Sequence, residues 1–293
     1  MTFEEKLALS ILILALIGLG TVITWTLRLI KFLFIKIFCT YKITITRRDD
    51  APKPKKKSSK KKHTEKTIPF PNNKAQDDFY QSAYFRAKRI QYSDVVNNLG
   101  MYGEYLIYDY LKDYQISGGK FLFNCYIPKG DDKTTEIDVI LLHPHGIFVF
   151  ESKNYSGWIF GNDTSDYWTQ TLPVKRGEAH KERFYNPIKQ NNLHIEYLRK
   201  IVGNDIPIYS IIVFSERCTL KDINVQSPDI YIINRDKVSM VVSGIMLNSS
   251  EILSIEKTNQ LFDILYPYTQ VSEEVKKKHI VDINKENAEL PFL

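Results

Sequence analysis

The sequence has few cysteines, and their spacing is not that of cysteines in a disulfide framework or a zinc site. Its 293 residues contain only Cys39, Cys125 and Cys218, with no CxxC pair. A disulfide framework and a structural zinc site are therefore excluded. The chain has no P-loop either, so the sequence offers no basis for nucleotide hydrolysis. The residues are nevertheless 43% hydrophobic and 13% aromatic, which excludes a disordered or collagen-like chain.

Excess positive charge is missing from most of the chain. Residues 1–66 hold 15 of the 40 Lys and Arg residues but 5 of the 34 Asp and Glu residues. The formal net charge of +6 thus divides into about +10 before residue 67 and about −4 after it. Because the larger part is mildly acidic, its net charge gives no argument that it binds nucleic acid.

Charge is absent altogether from residues 7–27. As a helix this segment would be about 31 Å long, close to the thickness of a bilayer core. Trp25 lies near its end, where an indole favours the membrane interface. A buried core helix and a signal peptide are the alternatives, but a signal peptide has a shorter apolar region and a small-residue cleavage site. We expect a transmembrane helix that contacts the lipid bilayer.

The flanks of this apolar segment predict its orientation. Basic residues from Arg28 onward follow it, whereas Glu4, Glu5 and Lys6 precede it. The positive-inside rule places the N-terminus outside and the C-terminal part in the cytoplasm. Residues 1–42 are therefore predicted to form an anchor with its juxtamembrane segment.

A lysine-rich stretch follows the predicted anchor. Residues 43–76 include the polylysine run of residues 53–62 and show no apolar periodicity. Such a composition is typical of a flexible linker. Next to a membrane span, its cations are expected to lie near anionic lipid headgroups. A tail that binds nucleic acid weakly is the alternative.

The remaining sequence predicts a folded domain over residues 77–270, followed by a loose charged tail over residues 271–293. A helical pattern, broken near Gly100, comes first, and alternating apolar residues then predict hairpins in one sheet. A helix opening at Asn186-Pro187 leads to an almost wholly apolar strand, which is typical of a buried strand. This order predicts an α/β sandwich around a mixed sheet. The strands are expected at residues 120–126, 137–142, 147–151, 158–160, 167–168, 208–214 and 230–233, and two further helices at residues 237–247 and 252–266.

Three polar side chains stand in a pattern that suggests chemistry. Asp138 interrupts an apolar strand, and Glu151 and Lys153 end the next strand. A tight turn at residues 143–146 would bring Asp138 beside the other two, which face the same way because strands alternate. Two carboxylates suit Mg²⁺, and a lysine beside them can hold a water molecule or stabilise charge on a phosphate. A simple salt bridge between Glu151 and Lys153, with Asp138 capping a turn, is the alternative.

Four blocks of the sequence, taken together, resemble a known family. They are GMYGEYLIYDYL, EIDVILLHPHGIFVFESKNYSGWIFG, YWTQ and FYNPIKQNNLHIEYL, which run in this order between residues 100 and 198. The resemblance is to the nuclease-related domain (NERD) family, a distant relative of the PD-(D/E)xK nuclease superfamily. It implies a restriction-endonuclease-like mixed sheet flanked by helices, with its core at about residues 98–214.

The resemblance also implies an active site. Asp138, Glu151 and Lys153 match the superfamily's triplet, with Asp138 and Glu151 as ligands of Mg²⁺ or Mn²⁺ and Lys153 as the group that positions water. Glu104 matches an acid on the first core helix, and Gln190 matches a glutamine on the helix after the meander. One departure is Ile137, where a proline often stands before the aspartate. The implied partner is nucleic acid, with DNA favoured.

Other polar and aromatic residues are weaker candidates. His143, His145, His180 and His194 are scattered along the sequence, and the turn at His143 is expected on the surface. Four aromatic residues could stack on bases or belong to the core: Tyr155, Trp158, Tyr167 and Trp168. The first hypothesis is thus a membrane-anchored, cytoplasmic, Mg²⁺-dependent nuclease. The alternatives are an inactive nuclease-like module that binds nucleic acid or a partner protein, and a membrane-associated scaffold.

Overall fold

The fold begins with a group of four helices. The computed structural model describes residues 73–173 and 179–289. The last of these helices begins where Asn98 caps it, since the Asn98 side chain accepts hydrogen bonds from the backbone N–H groups of Gly100 and Met101. The predicted break near Gly100 is thus a helix start. The helices are α1 (Asn73–Gln81), α2 (Ala83–Lys88), α3 (Tyr92–Asn97) and α4 (Leu99–Leu111).

The predicted anchor and most of the predicted linker lie outside the described residues. Within residues 73–173 and 179–289, no helix has the length and apolar composition needed to cross a membrane. The expected transmembrane helix at residues 7–27 therefore stays a prediction.

A five-stranded mixed sheet forms the centre of the domain, in the order β1-β2-β3-β7-β9. The first three strands form an antiparallel meander, and β7 runs parallel to β3, with β9 parallel to β7. This sheet confirms the mixed α/β class. Its strands are β1 (Lys120–Gly130), β2 (Lys133–His143), β3 (Gly146–Lys153), β7 (Ile208–Phe214) and β9 (Ile230–Asn234).

A second, four-stranded sheet has the order β6-β5-β4-β8, so the prediction of one sheet was wrong. The chain leaves the first sheet after Lys153, and β4 pairs in parallel with β8 instead of continuing the meander. Two of its strands were not predicted, because AHKERFY and CTLKDIN are too polar for a strong strand pattern. The strands are β4 (Gly157–Asn162), β5 (Tyr167–Pro173), β6 (Ala179–Tyr185) and β8 (Cys218–Asn224).

Helices cover both faces of the first sheet. Apolar side chains of α1 to α4 and α6 pack on the face that carries Phe121 and Phe150, and those of α5 and α7 pack on the face that carries Ile140 and Val149. A third cluster, around Trp168, joins the second sheet to β7 and β9. The later helices are α5 (Pro187–Val202), α6 (Val238–Asn248), α7 (Ile255–Leu265) and α8 (Glu273–Glu289).

The segment for which the sequence predicts a loose tail is helical from Glu273 to Glu289. One buried side chain on α8 links the helix to β2, since His279 Nδ1 lies 3.1 Å from both the hydroxyl and the carbonyl oxygen of Thr134. The many charged residues of this segment obscured the helix in the sequence, because they leave few apolar residues at helical spacing.

Candidate active site

The hairpin of β2 and β3 brings two of the predicted site residues together. The turn at His143–Gly146 forms as predicted, and the pairing continues to Val139 opposite Phe150. Asp138 and Glu151 are the next residues beyond that pair. Asp138 Oδ2 accepts a hydrogen bond of 2.7 Å from the backbone N–H of Ser152. The two carboxyl groups therefore lie at the open end of the same hairpin.

Asp138 lies where the alternation of β2 is interrupted. Its neighbours Ile137 and Val139 pack into core clusters on different faces of the sheet, although residues two apart on a regular strand share a face. On β1, Asn124 lies between the partners of these two residues and has a left-handed φ of 49°. This irregularity leaves the half-buried Asp138 between the two faces, within the electrostatic influence of Glu151 and of Glu104.

Glu151 and Lys153 form an ion pair that α5 completes. Lys153 Nζ lies 2.8 Å from Glu151 Oε1 and donates a hydrogen bond of 2.9 Å to Gln190 Oε1. Asn186 caps α5 as predicted, accepting from the N–H of Ile188 at 2.9 Å. The cap begins the helix next to the second sheet, and the first turn then carries Gln190 over the end of β3.

His194, only a weak candidate in the sequence, lies in the site. Its Nε2 lies 3.2 Å from Glu151 Oε2, and its Nδ1 lies 2.5 Å from the hydroxyl of Thr135 on β2. It follows Gln190 by four residues, so both side chains project from one face of α5. That spacing was the available signal, but using it requires knowing which face of α5 meets the sheet.

Glu104 approaches the site from the other face of the sheet. It is buried on α4, and the Tyr84 hydroxyl donates a hydrogen bond of 3.3 Å to its Oε2. The preceding residue, Gly103, allows α4 to lie close to β3, because a Cβ there would be 2.6 Å from Ser152 Oγ. Glu104 also lines a cleft of about 560 Å³, together with Asn124 and other residues.

Burial and neighbouring charges give the three carboxyl groups of the site different pKa values. Burial raises the pKa of Asp138 well above its usual range, and the charges of Glu151 and Glu104 raise it further. Burial also raises the pKa of Glu104, to about 7. Burial acts the same way on Glu151, but Lys153 and His194 outweigh it and lower that pKa to about 2. The pKa of Lys153 is raised, because its carboxylate neighbours outweigh the effect of burial.

The donor set fits a divalent cation with hard oxygen ligands. Glu151 and Glu104 both raise the pKa of Asp138, and Lys153 offsets only part of that effect, so a further positive charge would reduce the repulsion between the carboxyl groups. Mg²⁺ is commonly bound by one or two carboxylates and keeps several water ligands, and Asp138 and Glu151 could supply that pair. Among the described residues, no group of three or more His, Cys, Asp or Glu side chains is arranged to hold a metal ion, so water or substrate would complete the coordination.

The histidine turn of the β2–β3 hairpin is buried, contrary to the expectation of a surface turn. His143 is only 4% exposed, and its Nε2 lies 3.0 Å from Ser117 Oγ. Burial lowers the pKa of His143 to about 4. The sequence could not show the burial of His143, because that burial involves contact with Ser117, which lies 26 residues earlier in the chain. Of the other weak candidates, His180 is exposed beside Glu182.

Comparisons with known proteins agree with this arrangement at the level of the family. A family profile described as "Nuclease-related domain" matches residues 99–215. An uncharacterized protein of Bacillus anthracis is 30% identical over 158 residues, which cover 53% of this chain and 68% of the relative. No solved structure shows a significant match. The chain belongs to the nuclease-related domain family.

Proposed function

We propose that the protein is a metal-dependent nuclease that cleaves phosphodiester bonds of nucleic acid, with DNA as the favoured substrate. The observation that carries the proposal is the position of Lys153 Nζ, held by Glu151 on β3 and by Gln190 on α5 beside Asp138. A half-buried ammonium group held from two sides, next to two carboxyl groups, is suited to a phosphate and a water molecule. Family membership supports a nuclease-related function.

Each residue has a distinct role in the proposed site. Asp138 and Glu151 would hold Mg²⁺ or Mn²⁺, which when bound supplies positive charge at the phosphate and lowers the pKa of a water ligand. Lys153 would donate a hydrogen bond to the attacking water or to the developing charge on phosphate. Gln190 orients Lys153, and Glu104 would adjust the charge around Asp138 from the α4 side.

The proposal is tested by cleavage of labelled DNA and RNA with the purified full-length chain in detergent. We expect cleavage with Mg²⁺ or Mn²⁺ and none with EDTA. Glu151→Gln should lose cleavage, whereas Glu196→Gln, an exposed position on α5, should retain it. Equal cleavage by wild type and Glu151→Gln, or cleavage that persists in EDTA, would overturn the proposal.

A second candidate function is a nuclease-like module that binds nucleic acid without cutting it. One observation favours it: both oxygens of Glu151 already have neighbours, Lys153 at 2.8 Å and His194 at 3.2 Å. A metal ligand needs at least one oxygen to be available. Metal-independent binding without cleavage, over a wide range of divalent cations, would favour this candidate over the nuclease.

We also propose that the domain is tethered to the cytoplasmic face of a membrane. The support is the uncharged segment of residues 7–27 and the basic residues that follow it. Membrane fractionation tests this proposal. Deletion of residues 1–42 should release the protein into the soluble fraction, and a full-length chain that is soluble without detergent would contradict the tether.

A further inference from the structure

The second sheet has one face on which several aromatic and basic side chains are exposed in the described part of the chain. Trp158 pairs with Thr171, which in turn pairs with Lys181. Two residues further along β4, Phe160 pairs with Thr169, which pairs with Arg183. Tyr167 pairs with Tyr185 at the next step. Residues paired in this way project from the same face of a sheet. We name this surface the aromatic face and define it by Trp158, Phe160, Tyr167, Lys181, Arg183 and Tyr185.

The opposite face of the second sheet carries its part of the hydrophobic core. Ile159, Trp168 and Phe184 alternate with residues of the aromatic face and pack around Phe214 of β7. The second sheet is therefore held in place without using its aromatic face. Trp168 thus belongs to the core, whereas Trp158 does not. The sequence alone leaves open, for each of these rings, whether it is in the core or on the surface.

Large aromatic side chains on this face are exposed to solvent. Trp158 is 50% exposed and Tyr185 is 41% exposed. The ring of Tyr185 meets that of Tyr167 edge to face, with centroids 6.3 Å apart. Trp158 on β4 and Tyr185 on β6 lie on the two strands that flank β5, and an apolar patch that stays exposed marks an interaction site when it is contiguous. The rings thus provide flat apolar surfaces that an added planar group could cover.

Two cations accompany the rings. The Arg183 guanidinium lies 5.1 Å from the centroid of Tyr167, and Lys181 is exposed two residues earlier on the same edge strand. Among the described residues, neither cation forms an ion pair with a carboxylate. The charge available at this edge is thus positive, although the domain as a whole is mildly acidic.

We propose that the aromatic face binds a single strand of nucleic acid. Its bases would stack on Trp158 and Tyr185, and its phosphates would lie beside Lys181 and Arg183. Sequence-tolerant binding of single strands combines these two features, aromatic rings that stack on bases and a positive path for the backbone. A duplex offers the phosphates but keeps its bases stacked inside, so it would use only the cations.

The aromatic face lies close to the candidate active site along the chain. Trp158 follows Lys153 by five residues, a reach of at most about 18 Å. The intervening segment is fixed, because Gln170 Nε2 donates to the backbone carbonyl of Ser156 at 2.7 Å, and Tyr155 stacks on Phe184. A strand bound to the face could thus continue to Lys153. The inference deepens the proposed function, on which it rests for the link to cleavage.

The test measures binding of the full-length chain in detergent and EDTA, where no cutting is expected. The probes are a labelled oligothymidylate, an oligouridylate of equal length and a duplex of that length, all at one salt concentration. The test protein is Trp158→Ala/Arg183→Ala. The matched control is Tyr266→Ala/Lys257→Ala, which removes an exposed aromatic ring and an exposed cation on or next to α7. The basic segment at residues 53–62 is the same in both.

We expect the test variant to bind both single strands about tenfold or more weakly than the control variant. Its duplex binding should fall by a smaller factor. Equal single-strand affinity of the two variants would overturn the inference, and so would an equal loss for duplex and single strands. DNA and RNA are distinguished by the first two probes.

Two further measurements keep the outcome clear. Thermal unfolding shows whether the test variant is folded. Lys181→Glu/Arg183→Glu, at exposed edge positions, provides a second test that removes the cations and keeps every aromatic ring. If cleavage is never observed but single-strand binding depends on the aromatic face, the proposed nuclease function fails and this inference stands. If cleavage occurs but single-strand affinity does not depend on the aromatic face, this inference fails and the proposed nuclease function stands.

Discussion

His194 Nε2 lies 3.2 Å from Glu151 Oε2, while Lys153 Nζ lies 2.8 Å from the other oxygen of the same carboxylate. Glu151 is therefore held from two sides, by a helix and by its own strand. Thr135 in turn contacts the second nitrogen of the imidazole at 2.5 Å. In metal sites, groups that orient a ligand carboxylate contribute strongly to affinity and activity, so His194 and Thr135 would support the role proposed for Glu151.

Replacing His194 should weaken the site without removing any proposed metal ligand. Because Glu151 loses one of its two supports, His194→Ala should lower metal-dependent cleavage by about 10- to 100-fold. The measurement is the cleavage rate over a range of Mg²⁺ concentrations. His180→Ala, at an exposed position on β6, is the control and should match wild type. An unchanged rate for His194→Ala would show that the contact has no functional part.

Removing the charge of Lys153 should destabilise the fold. Lys153→Met would leave the carboxylate of Glu151 buried without its main partner, and breaking a buried pair typically costs about 3–5 kcal/mol. Urea unfolding measures the change in free energy. Lys200→Met, which removes an exposed partner of Glu196, should cost less than about 1 kcal/mol. Similar losses for the two variants would contradict the burial of the Lys153 pair.

Glu104 should make stability fall as the pH rises through the weakly acidic range. Burial raises the pKa of Glu104 from its ordinary value of 4.5 to about 7. Between these values the folded chain keeps a proton that the unfolded chain has released, so the free energy of unfolding decreases with increasing pH. The loss is of the order of 3 kcal/mol and is complete above about pH 7.

The variant Glu104→Gln tests this pH dependence, because a neutral amide has no proton to release. Urea unfolding at several pH values should show a smaller decrease between pH 4.5 and 7 for Glu104→Gln than for wild type. Glu196→Gln, at an exposed position, should keep the slope of wild type. Parallel curves for wild type and Glu104→Gln would contradict a raised pKa for Glu104.

Divalent cations should stabilise the folded chain through Asp138 and Glu151. A ligand that binds the folded state alone raises the melting temperature as its concentration increases. Mg²⁺ or Mn²⁺ should therefore raise Tm for wild type and for Asp263→Asn, an exposed position on α7, but not for Asp138→Asn. The same shift in all three proteins would place the bound cation elsewhere.

The main features of the fold and the β2–β3 part of the site follow from local sequence. The register set by a four-residue turn places Asp138 next to Glu151, because it depends only on residues within one hairpin. The helix cap at Asn186 is also local, and so it was predicted correctly. Gln190 was identified by resemblance to the family, and the structure places its side chain on Lys153.

The features that sequence reasoning missed depend on contacts between distant segments. His194 contacts Glu151 only because α5 packs on β2 and β3, and the sequence does not give the rotation of that helix. The second sheet requires β8 to pair in parallel with β4 across a separation of some 60 residues. Strands such as β6, exposed along their length, carry too few apolar residues to be recognised alone.

Lys153 is the residue on which the proposed metal-dependent cleavage of nucleic acid depends most. The most direct test of this dependence compares the rate at which wild type, Lys153→Ala and Lys200→Ala cut the same labelled DNA with Mg²⁺, after thermal unfolding has shown that all three are folded. We predict that wild type and Lys200→Ala cut at similar rates and that Lys153→Ala does not cut detectably. Cutting by folded Lys153→Ala at the rate of wild type would contradict this dependence.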